Sequence, residues 1–160
     1  AAGKLGRQVK DGTMKKEYLA VCEGKIEKQG VQKFEDFLVK DGRSNTSRVV
    51  QPGTAGAKKA VLKYEVIRTQ ENRTLVQIHL GTGRHHQIRA QLSKIGCPIK
   101  GDLKYGARRS NPDGGISLHS RAIEFTHPVR REPVRITAPV PAGDNLWAFF
   151  ARNASEPCAC

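Results

Sequence analysis

The chain has 160 residues, 38% hydrophobic and 27% charged, a composition typical of one folded domain and not of a disordered segment. No apolar run approaches the roughly 18 residues of a membrane span, and the start of the chain is too polar for a secretory signal. The 28 lysines and arginines against 15 acidic residues give a net charge of +13. This charge favours a nucleic acid over a merely solubilising surface.

The first elements can be read from the spacing of apolar residues. Ala1, Leu5 and Val9 recur at helical spacing, which predicts a helix at the very start and leads us to expect further protein upstream. The alternating segment KKEYLAVCE predicts a strand over residues 15–23. Further strands are predicted by alternation at residues 34–39, 62–66, 76–80, 116–118, 123–125 and 134–136.

A second helix is predicted after the fourth of these strands, residues 76–80. Thr82 is its expected N-cap, Ile88, Leu92 and Ile95 form its buried stripe, and Gly96 is its expected stop. A closing helix is predicted around residues 146–150. Many strands with few helices indicate one α+β domain over residues 1–160, with a mixed, mainly antiparallel sheet flanked by a few helices.

The four cysteines do not form a disulfide framework. Cys22 and Cys97 are far apart in sequence and are interpreted as small apolar residues. Cys158 and Cys160 are separated by one alanine, which is too close for easy pairing. All four are predicted to be reduced, which favours a cytoplasmic location.

The glycine-flanked turn before the second helix carries the densest chemistry. A helix N-terminus offers free N–H groups, and Arg84 adds charge there. Arg89 follows the buried Ile88 and is expected to be partly shielded from water, which suits a phosphate or carboxylate partner. The alternative is a capped helix whose arginines are only solvated, and the residues alone do not choose between the two.

Two other interpretations of this segment are weaker. Gly81 and Gly83 lack the third glycine of a dinucleotide fingerprint, because His86 stands in its place. A metal site would use His79, His85 and His86, but adjacent histidines on a helix diverge by about 100° and no second ligand pair has metal spacing. No metal is therefore predicted.

Tyr18 is a second candidate for ligand binding. Its strand neighbours Ala20 and Cys22 are small, which leaves room for a planar group over the tyrosine ring. Stacking of a nucleobase on such a ring contributes about 1–3 kcal/mol. From the residues alone, a core tyrosine is the favoured alternative.

Three segments resemble motifs of the RluA-like pseudouridine synthases. LGTGRHHQIRAQLSKIGCPIKGDLKYG, residues 80–106, resembles the family's L-x-T-G-R-x-H-Q-[IL]-R motif followed by G-x-P-[IL]-x-G-D-x-x-Y-G. KKEYLAVCEG at residues 15–24 is similar to K-x-Y-x-A-x-V-x-G. SLHSRAIEFTHPV at residues 117–129 is similar to L-H-A-x-x-L-x-F-x-H-P, with Ser120 in place of alanine.

The resemblance implies an isomerase that converts uridine to pseudouridine in structured ribosomal or transfer RNA, without metal or organic cofactor. In the family an aspartate attacks the nucleoside, the base turns and rejoins through C5, and the uridine is first flipped out of its stack. Tyr18 would pack on the base, Arg89 would pair with the catalytic aspartate, and Ile88 would shape the pocket floor. The other matched positions expected at the substrate site are Arg84, His86, Gln87, Asp102 and Tyr105.

The family's H-R-L-D-x-x-[TS]-[STA]-G segment, which carries the nucleophilic aspartate, is absent. Asp11, Asp36 and Asp41 do not lie in such a context, and Asp102 is expected to pin its own loop. The chain is therefore expected to be the C-terminal part of a catalytic domain, truncated at its N-terminus and inactive alone. The alternatives are a non-catalytic RNA-binding module, and an anion-binding enzyme that relies on His85 or His86.

Two structural expectations follow from the missing aspartate. A partly buried Arg89 without a partner is costly, so we expect it to bind an anion, to turn toward water or to pair with an acid such as Asp102. Missing upstream strands would expose a sheet edge, which predicts self-association.

Overall fold

Three α-helices and seven strands form the computed structural model, which describes residues 1–152. A single 3₁₀ turn, Leu103–Tyr105, lies in the long connection after the second helix. The elements in chain order are α1 (Ala2–Lys10), β1 (Lys15–Glu23), β2 (Val31–Asp41), β3 (Thr46–Val50), β4 (Lys58–Gln70), β5 (Arg73–Leu80), α2 (Gln87–Lys94), β6 (Leu118–Thr126), β7 (Pro133–Thr137) and α3 (Asn145–Ala151).

The seven strands form one sheet in the order β3-β2-β4-β5-β1-β6-β7. Every neighbouring pair within residues 1–152 is antiparallel. The predicted α+β class is confirmed, whereas the sheet is wholly antiparallel and not mixed. Short turns explain the pairs that are consecutive in sequence, since the two residues Glu71 and Asn72 suffice to join β4 to β5 as the predicted hairpin.

The two faces of the sheet bury separate apolar clusters, because side chains alternate along each strand. On one face, Ile88 and Leu92 of α2 pack over residues of β1, β4 and β5 such as Ala20 and Ile78. On the other face, Trp147 of α3 packs with residues that include Leu19, Val21, Leu75 and Phe150.

Most of the predicted elements are present. β1 has the predicted bounds, α1 and α3 form where expected, and the two segments predicted at 116–118 and 123–125 lie in or beside one strand, β6. The short edge strand β3 was not predicted. None of the helices within residues 1–152 combines the length and the apolar composition that crossing a membrane requires.

The interpretation of two cysteines as small apolar residues is confirmed. Cys22 and Cys97 are buried free thiols, and burial raises the pKa of both. Cys158 and Cys160 lie outside the described residues.

Candidate active site

The turn between β5 and α2 is held by one carbonyl group. The Val61 oxygen accepts hydrogen bonds from the amides of Gly81 (2.9 Å) and Thr82 (3.0 Å) and from Nε2 of Gln87 (3.0 Å). A Cβ atom on Gly81 would lie 3.0 Å from this same oxygen. Gly81 therefore serves the close approach of two backbone segments.

Gln87 fixes the remainder of the turn. Its Oε1 accepts from the Thr82 hydroxyl (2.7 Å) and from the Arg84 amide (3.0 Å), and the residue is 3% exposed. These bonds keep residues 82–86 out of helical geometry, so α2 begins at Gln87. The prediction of Thr82 as the N-cap is wrong, because its hydroxyl faces the Gln87 side chain and the Val61 backbone.

The two adjacent histidines lie side by side. His86 is the residue before α2 and has a left-handed backbone with φ of 51°. This geometry brings the His85 and His86 rings to 3.8 Å between centroids, with 27° between their planes. The expected divergence of the two rings is wrong, because neither residue is inside the helix. Residues 1–152 contain no group of three or more His, Cys, Asp or Glu that could hold a metal ion.

The segment after α2 is fixed to the end of β1. The Glu23 amide donates to the Pro98 carbonyl and the Lys100 amide donates to the Val21 carbonyl, each at 2.8 Å. Gly101 then turns with φ of +87°, where a Cβ atom would lie 2.7 Å from neighbouring atoms. This turn directs the next residue, Asp102, toward α2.

Arg89 and Asp102 form a two-pronged ion pair. Nε and Nη2 of Arg89 donate to Oδ2 and Oδ1 of Asp102, each at 2.8 Å. The side chains are 19% and 1% exposed, and the hydrogen bond that Arg89 donates to the Asp102 carboxylate raises the pKa of Arg89. Of the three outcomes expected for Arg89, pairing with Asp102 is confirmed.

The other side of the guanidinium faces His86 and Tyr105. Nη1 of Arg89 lies 3.1 Å from Nε2 of His86, and the guanidinium carbon lies 4.7 Å from the centre of the Tyr105 ring. Burial, and then the nearby Arg89, lower the pKa of His86 to about 4. His86 is therefore a neutral imidazole at neutral pH.

The hydrogens of this cluster can be assigned because a guanidinium only donates. Nε2 of the neutral His86 must accept from Arg89, so its Nδ1 carries the proton and donates to the Tyr105 hydroxyl at 2.8 Å. The same hydroxyl accepts from the Ser47 amide at 2.8 Å. The tyrosine is thus held by the edge strand β3 and by the turn before α2.

Ser47 is a site residue that sequence reasoning missed. Its hydroxyl lies 2.9 Å from Nδ1 of His85, 38 residues away, and its amide binds Tyr105, 58 residues away. No local motif marks Ser47. Only the pairing of β3 with β2 brings it to this position.

The other predicted residues have different contacts. Tyr18 of β1 packs against the apolar cluster that contains Ile88, which is 5% exposed, on the sheet face covered by α2. Tyr18 and Ile88 thus share one apolar cluster, whereas the partners of Arg89 are Asp102, His86 and Tyr105. Arg84 is exposed, and its Nε donates to the Lys59 carbonyl at 2.9 Å.

Two residues expected at the substrate surface face the interior instead. Gln87 is 3% and Asp102 is 1% exposed. Their hydrogen bonds support the turn and the Arg89 guanidinium. Arg89 has five N–H groups and uses three of them in these contacts. Within the described residues the other two have no acceptor, and a carboxylate placed there would be held in its ionised form.

A comparison with protein families identifies the class of protein. The model of the RNA pseudouridylate synthase family matches residues 1–94, which is more than half of the chain. The chain belongs to this family. Its curated relatives include ribosomal large subunit pseudouridine synthases, which supports the RluA-like branch.

Individual relatives share about a third of their residues with the chain. An uncharacterized RNA pseudouridine synthase of Bacillus subtilis (strain 168) is 34% identical over 139 residues, or 86% of this chain and 44% of that protein. Ribosomal large subunit pseudouridine synthase D of Nitrosomonas europaea is 34% identical over 156 residues, or 91% and 43%. The synthase C of Escherichia coli (strain K12) is 32% identical over 162 residues, or 96% and 50%. The chain spans half or less of the length of these relatives.

Two solved human structures share the fold. Human RNA Pseudouridylate Synthase Domain Containing 1 superposes with a TM-score of 0.71 at 23% identity, covering 98% of this chain and 72% of the human one. Human RNA Pseudouridylate Synthase Domain Containing 4 gives 0.74 at 20% identity, covering 94% and 67%. At these identities the likeness concerns the fold alone.

Proposed function

We propose that this chain is part of the catalytic domain of an enzyme that isomerises uridine to pseudouridine in ribosomal or transfer RNA. The observation that carries the proposal is the shielded Arg89, held by Asp102 and left with two N–H groups for a second carboxylate. In the reaction, the C1′–N1 bond breaks and a C1′–C5 bond forms. N1 gains a proton and C5 loses one, so the change is an isomerisation that needs no external oxidant or cofactor.

Each matched residue has a role in this proposal. Arg89 keeps the attacking aspartate ionised and oriented, since an adjacent cation favours the charged carboxylate. Tyr18 stacks on the flipped base, and Ile88 forms the pocket floor beneath it. The buried Asp102 holds Arg89 in place and does not attack, because both of its oxygens are occupied by the guanidinium.

We further propose that the nucleophilic aspartate lies outside these 160 residues and that this chain alone does not turn over uridine. Asp102 is occupied by Arg89, and Asp36 binds Gln91 and Lys94. The other four lie at turns or helix ends, where three of them accept local backbone N–H bonds: Asp11, Asp41, Asp113 and Asp144. Within residues 1–152, Asp102 is the only one of the six that pairs with Arg89, and its oxygens hold Nε and Nη2.

Tritium release tests the proposal directly. RNA labelled with tritium at C5 of uridine loses the label to water when C5 bonds to C1′. We expect no release with this chain alone, release with the complete product of its gene, and loss of that release in the Arg89→Ala variant. Release by the chain alone would contradict the proposed location of the nucleophile.

A non-catalytic RNA-binding module is the second candidate, favoured by the charge of +13 together with the absence of the family's H-R-L-D-x-x-[TS]-[STA]-G segment from these 160 residues. It predicts that the complete gene product binds RNA and releases no tritium. In either case RNA binding should weaken steeply as salt rises, because bound phosphates release counterions.

We also propose a cytoplasmic location for the protein and self-association of the chain. A cytoplasmic location is supported by the buried free thiols of Cys22 and Cys97.

Self-association through a sheet edge is supported by β7, the last strand of the sheet, where Ile136 is 54% exposed. Sedimentation of the chain at several concentrations tests this, and a constant monomer mass would exclude it.

A further inference from the structure

A cavity lies beside the candidate active site. It has a volume of about 220 Å³, several times the roughly 30 Å³ that one water occupies in the liquid. We refer to it as the Lys40 pocket. Its lining residues are Leu38, Lys40, Ser47, Gly56, Lys58, Gly83, Arg84 and His85.

Strand geometry turns two lysines of the Lys40 pocket toward the face that carries α2. Leu38 of β2 and Ala60 of β4 are 4% and 0% exposed and pack with Ala90 of α2. Lys40 lies two residues after Leu38, and Lys58 lies two residues before Ala60. Because side chains alternate along a strand, both lysines share the inward face, at the point where the apolar core ends.

The charges of the Lys40 pocket are not neutralised within the described part of the chain. No acidic residue lines it, and Lys40, Lys58 and Arg84 form no ion pair with any acid among residues 1–152. By contrast, Lys59, which faces the other side of β4, pairs with Glu35 at 2.5 Å. Three cations around an acid-free cavity suit a phosphate group.

The Lys40 pocket also adjoins the residues that hold Arg89. His85 lines the pocket, and its ring stacks on His86 at 3.8 Å. His86 in turn accepts from Arg89. The exposed side chains of Lys58 and Arg84 leave the pocket open to solvent, so that a continuous strand can pass across it.

We propose that the Lys40 pocket binds a backbone phosphodiester of the RNA, next to the uridine held at Arg89. This assignment rests on the proposed function, since it takes RNA as the partner. Lys40, Lys58 and Arg84 supply the positive charge, and Nε of Arg84 is already fixed on the Lys59 carbonyl at 2.9 Å. A small free phosphate has the same chemistry, and the experiment separates the two.

The test measures binding of a fluorescent single-stranded oligouridylate to the full chain over a range of salt concentrations. The Lys58→Gln variant is compared with Lys63→Gln, which removes the same charge from the same strand on the opposite face. We expect weaker binding for Lys58→Gln alone and a further loss for the double variant Lys40→Gln/Lys58→Gln. The slope of log affinity against log salt should become shallower by about 0.7 for one lost phosphate contact.

The outcomes separate the Lys40 pocket from the proposed function. Equal losses of affinity in Lys58→Gln and Lys63→Gln, or no loss in the double variant, would contradict phosphodiester binding at the Lys40 pocket. Either result would leave the proposal that the chain binds RNA intact. Absence of binding by the unmodified chain at low salt would instead overturn the RNA partner itself. Inorganic phosphate that displaces the oligouridylate as effectively as a second oligonucleotide does would identify a small-anion site and overturn the backbone assignment.

Discussion

Asp102 binds the Arg89 guanidinium with both carboxylate oxygens, and the carboxylate is almost completely shielded from water. Arg89 is on α2, whereas Asp102 is on the loop that follows it. The pair therefore joins two segments that no backbone hydrogen-bond ladder connects. The ion pair fixes the plane of the guanidinium before a substrate binds. Such orientation in advance lowers the entropy that is lost when the reacting groups are brought together.

Replacement of the acid tests the energetic value of this pair. Asp102→Asn keeps the shape of the side chain but leaves Arg89 as a shielded, unpaired cation. We expect a loss of about 3 kcal/mol in the free energy of unfolding, measured by urea denaturation. Asp113→Asn is the matched control, because that carboxylate accepts only from a local backbone amide in an exposed turn. Equal stability of the two variants would contradict this account.

Gln87 should be necessary for the turn before α2. Gln87→Ala removes three hydrogen bonds of the Gln87 side chain. These are the bonds from the Thr82 hydroxyl and from the Arg84 amide, and the bond to the Val61 carbonyl. Polar groups left without partners cost about 1–3 kcal/mol, and we expect a loss of that size in urea denaturation. Gln29→Ala, at an exposed position, should change the unfolding free energy little. A comparable loss in both variants would argue against the role of Gln87.

The turn that directs Asp102 depends on the absence of a side chain at Gly101. A Cβ atom there would lie 2.7 Å from Asn111 and from the Gly115 carbonyl, and φ is also positive. Gly114 has a similar φ of +74° but open space around it. Gly101→Ala should therefore lower the thermal midpoint clearly more than Gly114→Ala does, because only the first adds a clash to the backbone strain. Equal midpoints would contradict the clash.

Stability should depend on pH through His86. Its folded-state pKa of about 4 lies below its ordinary value of 6.5, so the unfolded chain takes up a proton that the folded chain does not. The stability contributed by neutral His86 is complete above pH 6.5 and is lost as pH falls toward 4. The lowered pKa of His85, caused mainly by burial and then by Lys40, acts in the same direction.

Urea denaturation at about pH 7 and about pH 5 measures this dependence. His86→Gln should lose less stability between the two pH values than the unmodified chain does, whereas His127→Gln should resemble the unmodified chain. An unmodified chain that is equally stable at both pH values would show that His86 is not held neutral.

Local patterns predicted most of the strands but not the exact start of α2. The alternation of apolar and polar residues predicted β1 and the β4–β5 hairpin. It did not predict that Leu19, Ala20, Val21, Cys22 and Glu23 are all buried, since β1 is an inner strand of the sheet, or that the hairpin register shifts between Val66 and Arg68. α2 begins five residues after its predicted cap because the Gln87 side chain holds Thr82 and Arg84 in a non-helical turn. Such a bond depends on a side-chain conformation that apolar periodicity does not report.

The site was predictable only in part. The motif marked Arg89 and Asp102, and the cost of a shielded cation made pairing with an acid such as Asp102 one of three expected outcomes. Ser47 could not be found, since it meets Tyr105 only through the folding of a short edge strand. The sequence did contain an indication of Lys40, because it lies two residues after Leu38 and so shares its face of the strand. A lysine at such a position is, however, also typical of the solvated end of a strand.

The hydrogen bond from the Ser47 amide to Tyr105 has a dynamic consequence. β3 is paired only with β2, and outer strands open more readily than central ones. Each opening of β3 removes a donor from the Tyr105 hydroxyl, whose ring lies against Arg89. Opening of the edge strand β3 and disorder of the Arg89 guanidinium are thus thermodynamically linked. A ligand that holds β3 in place therefore also reduces the disorder of Arg89.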